Sequence, residues 1–178
     1  KINSYGPIYN SNVGTFSTTS QGQLPQVLSH FPALTTTIGG TQYIYTVGGY
    51  GTAGGLISTV YKATIDSSAN ICTFATTSQA QLPITIGDNP GGGVTATIGG
   101  TQYIYYMGGY NGGTVSVLYK ATIDSSANVG AFATTSQVQL PVSIYDHSSI
   151  TTSIGGTQYL FVIGGYTSIP VSTVYKAT

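Results

Sequence analysis

The chain of 178 residues has no arginine, no glutamate and no tryptophan, and only one cysteine and one methionine. Four lysines balance four aspartates, so charged residues make up 4% of the chain, against about 25% in an ordinary soluble domain. Zero net charge removes the attraction to phosphate backbones and to anionic bilayers, so neither nucleic acid nor a membrane surface is an expected partner. A single cysteine excludes an intrachain disulfide. No apolar run is long enough for a membrane helix, and membrane insertion is not expected. The first ten residues, KINSYGPIYN, lack the apolar centre of a signal peptide, so the chain reads as a mature or excised piece. There is also no Asn-x-Ser/Thr sequon.

What is present is order-forming. Hydrophobic residues reach 40%, and 15 residues are tyrosine, which argues against disorder. With so little charge, the surface must be hydrated by Ser, Thr, Asn, Gln and backbone amides. Few groups titrate, so folding is linked to few protons and stability should vary little with pH. That suits an extracellular or cell-surface setting.

The chain repeats itself three times. TIGGTQYIYTVGGY at Thr37–Tyr50 returns as TIGGTQYIYYMGGY at Thr97–Tyr110 and as SIGGTQYLFVIGGY at Ser153–Tyr166. VYKATIDSSAN at Val60–Asn70 returns at Leu118–Asn128, and its first five letters close the chain as VYKAT. TFSTTSQGQLP at Thr15–Pro25 has copies at Thr73–Pro83 and Ala131–Pro141. The units run over roughly 14–65, 72–123 and 130–178 of one segment, 1–178, with no linker and no second domain. Cys72 stands where the other copies have Gly14 and Gly130, and a buried, unreactive thiol is expected there.

Each unit reads as four short strands, and the class is all-β. In the first unit these are Leu34–Ile38, Gln42–Val47, Ser58–Ile65 and Thr73–Gln79. Gly39-Gly40 makes the first turn, because glycine takes positive φ freely. DSSAN supplies Asp, Ser and Asn to a second turn. In the second strand Tyr43, Tyr45 and Val47 point one way and Ile44 the other, so both faces are apolar. A sheet with one wet face would alternate apolar and polar residues. A sheet held between two like neighbours would not, and that describes a propeller blade.

The chain resembles the kelch-repeat family, in its bacterial and archaeal form. The resemblance rests on YIYTVGGY, YIYYMGGY and YLFVIGGY, on Tyr61, Tyr119 and Tyr175 in the next strand, and on Phe16, Phe74 and Phe132 in the last. The family usually carries Trp at the last of these, which this chain lacks, and the Tyr61-to-Phe74 gap is longer than its common spacing. Membership implies a β-propeller, usually of six or seven four-stranded antiparallel blades. Three units then imply a piece of a longer ring, self-association into one, or an open arc docked on something else. KINSYGPI is in register with a third strand, and Val13-Gly14 with Val129-Gly130, so the two ends of the chain are complementary. The second glycine pair should lie near a crowded axis, where a side chain would strike a neighbouring blade.

Chemistry-bearing residues are few. His30 and His147 precede the first strand of units one and three, and Asp88 and Asn89 occupy that region in unit two. In a kelch-like propeller this loop opens on the central channel. His30, Asn89 and His147 are therefore expected as a polar ring at one mouth, with Asp88 and Asp146 nearby. Two histidines without a third ligand make a poor metal site, so no metal and no cofactor is expected. Copper-dependent kelch enzymes use a Cys–Tyr cross-link, and the single, unrepeated cysteine goes against that. Lys62 with Asp66, and Lys120 with Asp124, are expected as outer-strand ion pairs. Tyr50, Tyr110 and Tyr166 follow the second glycine pair and open variable loops, where a protein or glycan would bind. The leading expectation is a non-catalytic binding or assembly propeller, not an enzyme. The alternatives are a sugar-processing kelch-type enzyme with its site at the channel mouth, and a piece whose function belongs to a longer propeller.

Overall fold

The structure is a computed structural model and describes residues 15–134 and 138–178. Among the described residues there are nine strands: β1 Ala33–Ile38, β2 Thr41–Tyr50, β3 Leu56–Ile65, β4 Gly93–Ile98, β5 Thr101–Met107, β6 Leu118–Ile123, β7 Ser148–Ile154, β8 Thr157–Ile163 and β9 Val174–Ala177. They form three antiparallel sheets in the orders β1-β2-β3, β4-β5-β6 and β7-β8-β9. The fold is all-β and β-propeller-like, with one sheet per repeat. The expected register of KINSYGPI and Val13-Gly14, and residues 135–137 of the third TTSQ copy, lie outside the described residues.

Each blade has three strands, not four. The expected fourth strand touches its sheet at one place only, the bridge from Lys62 to Ala75, repeated as Lys120 to Ala133. The cause is the TTSQ segment. Ser78 takes φ +60, and the Gln79 amide closes back on the Thr76 carbonyl at 3.0 Å. That turn ends the pairing before a ladder can form. Phe74 and Phe132 are nevertheless buried against their sheets, whereas Phe16 is 93% exposed.

The register places residues by face. Tyr45 lies opposite Leu34 on one side and Lys62 on the other, and Val47 opposite Val60. Tyr43, Tyr45 and Val47 therefore share one face with Leu34 and Val60, and Ile44 and Thr46 share the other with Tyr61 and Ala63. The first face of blade one packs on the second face of blade two, with Leu34, Tyr45, Val47 and Val60 joining Ile104, Tyr106 and Tyr119 in one core. Val94, Ala96, Tyr105 and Met107 of blade two join Leu160, Val162 and Tyr175 of blade three in the same sense. Both faces are apolar because each has a neighbour to meet.

Hydrogen bonds lock the stacking. The Thr95 hydroxyl donates to the Thr35 carbonyl and the Thr151 hydroxyl to the Thr95 carbonyl, each at 2.9 Å, so the inner strands β1, β4 and β7 form a threonine ladder. On the outer side the Tyr45 hydroxyl donates to the Ala127 carbonyl at 2.7 Å. The expected ion pair of Lys62 with Asp66 is not formed. Lys62 reaches across the blade boundary and donates to Asn128 Oδ1 at 2.9 Å. Asp66 accepts the amides of Ser68 at 2.9 Å and Asn70 at 2.8 Å, a turn that Asp124 repeats. Those amide bonds hold both carboxyls below the usual range. Cys72, expected to be buried, is exposed.

Candidate functional site

The residue that precedes each inner strand's approach loop pairs with the tyrosine after the second glycine pair. The amide and carbonyl of Ser29 bond those of Tyr50 at 3.0 and 2.9 Å, Gly87 does the same with Tyr110, and Tyr145 with Tyr166. The next residue in each copy is His30, Asp88 or Asp146, with φ of 54, 49 and 52. A non-glycine residue in this left-handed region is uncommon, and Asp and His are among the types enriched there. Three equivalent strained positions thus present three polar side chains at the end of the blades where β1, β4 and β7 begin.

This differs from the expected ring. His30 is equivalent to Asp88 and Asp146, not to Asn89 and His147, which lie one residue later and point inward. Asn89 is fully buried, and its side-chain amide donates to the Met107 carbonyl. His147 is 1% exposed, and neither ring nitrogen has a hydrogen-bond partner. Burial pulls the His147 imidazole down to about 4, so it is neutral at ordinary pH. The equivalence is legible from the repeated QLP, since His30, Asp88 and Asp146 each lie five residues after its proline, but the expected ring matched residue types rather than positions.

The exposed group is joined by four tyrosines. The Tyr50 hydroxyl donates to Asp88 Oδ2 at 3.2 Å, and the His30 ring meets the Tyr50 ring edge-on, with centroids 5.9 Å apart. Tyr145 lies 6.1 Å from Tyr110 and 5.3 Å from Tyr166, centroid to centroid. Tyr145 escaped the sequence reading because its counterparts are Ser29 and Gly87, so no repeat marks it. The Asp146 amide donates to the Asp88 carbonyl at 3.0 Å, which sets the two acids side by side. Burial, and then the neighbouring Asp88, push the Asp146 carboxyl above the usual range, and His30 partly opposes this. The arrangement is two neighbouring acids beside a group of tyrosines. Such a pair can hold and pass a proton, and flat tyrosine faces can seat a ring. Among the described residues, no three His, Cys, Asp or Glu side chains are grouped to hold a metal ion, and no helix is long and apolar enough to cross a membrane.

No family model and no curated protein matches the chain. Among solved structures it is similar to "Bacteroides ovatus Xyloglucan PUL GH43B", at 14% identity and a TM-score of 0.45, over 85% of this chain and 29% of that one. The chain thus spans less than a third of that structure's length. The likeness is to a sheet-rich propeller and does not single out kelch repeats. The likeness carries no function to this chain, and the expectation that it is not an enzyme is not kept.

Proposed function

We propose that the chain is part of a sugar-processing propeller at the cell exterior, of kelch-like pattern, whose site is the end bearing His30, Asp88, Asp146 and the tyrosine group. The observation that carries the reading is the juxtaposition of two acids: the Asp146 amide donates to the Asp88 carbonyl, and Asp88 accepts the Tyr50 hydroxyl. Cleaving a glycosidic bond calls for one carboxyl that keeps a proton for the leaving oxygen and a second that serves the opposite side of the sugar. Asp146 takes the first role, because its proton is retained to higher pH. Asp88 takes the second. Tyr50, Tyr110, Tyr145 and Tyr166 offer the aromatic walls on which a sugar ring is held, and His30 and the hydroxyls supply the polar contacts that orient it.

The reading is tested by screening the chain against nitrophenyl glycosides and plant-type oligosaccharides, with Asp146→Asn and Asp88→Asn beside it. Hydrolysis should appear for at least one glycoside and fall about 10²-fold or more in either variant. Full activity in Asp146→Asn, or no hydrolysis of any glycoside, would overturn the proposal.

A further inference from the structure

The blade-on-blade contact occurs twice in the chain, and each of its halves is also left open once. On blade three the residues that neighbours cover elsewhere lie bare. Leu34 and Val94 are each 6% exposed, but the equivalent Ile150 is 51% exposed. Val47 and Met107 are fully buried, but Ile163 is 39% exposed, and Val60 is fully buried where Val174 is 57% exposed.

The opposite half, on the second face of blade one, meets no further blade among the described residues, although Thr46, Tyr61 and Ala63 there are buried. Leu82 and Ile86 belong to a segment that runs between blades one and two and are 4% and 0% exposed. Their counterparts Leu24 and Leu28, packed on the outward face of blade one, are only half-buried.

The backbone leaves matching gaps. The Leu82 amide donates to the Ser58 carbonyl at 2.9 Å and the Ile86 amide to the Ile57 carbonyl at 3.1 Å. One unit on, Leu140 donates to Ser116 at 2.9 Å and Ile144 to Val115 at 3.1 Å. The Gln81 side chain accepts the Val60 amide at 3.1 Å, and Gln139 the Leu118 amide at 2.9 Å. The next acceptors in the series are the Ser172 and Val171 carbonyls, and the next donor to a glutamine is the Val174 amide. The residues that would answer them are Leu24, Leu28 and Gln23, at the other end of the chain. Among the described residues of one chain, Leu24 and Leu28 make no such bond, and Gln23 bonds the nearby Gln21 carbonyl.

We infer that the open face of blade three takes blade one of a second copy of this chain, with Leu24 and Leu28 covering Ile150, Ile163 and Val174, and with Gln23 bonding the Val174 amide. A second copy is the occupant because the two open halves complement each other residue by residue in the pattern the chain already uses twice. No net charge opposes the contact. The contact is head-to-tail, so it closes on two chains when the blade-to-blade rotation brings the second pair of open halves together, and otherwise runs on as an open series. The inference stands independently of any sugar chemistry.

Sedimentation velocity on the full chain at roughly 100 μM tests it, since a weak but specific pair is populated there. A species of twice the 18.3 kDa chain mass or more is expected. Ile150→Asp, at an exposed position, should return the chain to a monomer with unchanged circular dichroism. Gln23→Ala, on the far side of the same contact, should weaken the pair about tenfold through the lost hydrogen bond. A wild-type monomer of 18.3 kDa at that concentration would overturn the inference. So would an assembly of any size indifferent to both substitutions.

Discussion

Gly99 and Gly108 both have positive φ, at 56 and 62, but for different reasons. Around Gly99 an added Cβ meets nothing within 4 Å, so this glycine serves only the tight turn between β4 and β5. At Gly108 a Cβ would lie 2.3 Å from the Ile144 carbonyl, in the segment that threads between blades two and three. Gly99→Ala should cost about 1 kcal/mol, the left-handed penalty alone. Gly108→Ala should cost about 3 kcal/mol or more, because backbone must move as well. Urea denaturation of the two variants reads the difference, and equal losses would contradict it. The sequence suggested that the second pair meets a crowded surroundings, and this holds. What it hid is the identity of the obstacle, a carbonyl in a variable loop rather than a repeated side chain.

His147 sets the main pH dependence. Its folded value of about 4 lies below its ordinary 6.5, so the unfolded chain binds the extra proton between these pH values. Stability is therefore full above pH 6.5 and falls toward pH 4, at up to about 1.4 kcal/mol per pH unit. Buried Tyr45 and Tyr106 are raised well above the ordinary tyrosine range, so stability should also decline above pH 10. His147→Asn places there the residue that blade two carries, and should flatten the acid limb in denaturant titrations at pH 4 to 6.5. An unchanged acid limb would show that other groups control it. The expectation of near pH-independence from few charges is thus too simple, since one buried imidazole without a partner outweighs a low charge count.

At the scale of elements, the inner and middle strands were legible because their apolar residues alternate between two buried faces at a fixed register. The third strand of each blade was legible from VYKAT. The fourth was not, because TFATTSQ has strand-like residues but folds at Ser78 into a turn. Local β-propensity lost to a turn that frees Gln79 to bond the outer loop of blade two, where its Oε1 accepts the Val129 amide at 3.0 Å. The outer fastening of blade one to blade two makes a sharp prediction. Tyr45→Phe leaves the buried Ala127 carbonyl without its donor, and should destabilise the chain by about 1–3 kcal/mol. Tyr159→Phe, whose ring is half-exposed on the open face of blade three, should cost far less. Thermal melts of the two variants decide the point, and equal shifts would contradict it.

For the whole molecule, the repeat made the propeller-like arc readable, while the site was matched by residue type across variable loops and so came out one residue out of step at Asn89 and His147. The acids Asp88 and Asp146 were named, and their equivalence to His30, each five residues after the proline of QLP, is repeated in the shared left-handed backbone. The arc itself implies a gradient of stability, because a blade is held chiefly by its neighbours. Blade two is covered on both faces, and blade three on one. Native-state amide hydrogen exchange on the Ile150→Asp chain tests this most directly. The account predicts that β5 amides exchange slowest and β8 amides markedly faster, although the two are the same element of the repeat and both begin Thr-Gln-Tyr. Equal protection of β5 and β8 in that monomer would contradict it.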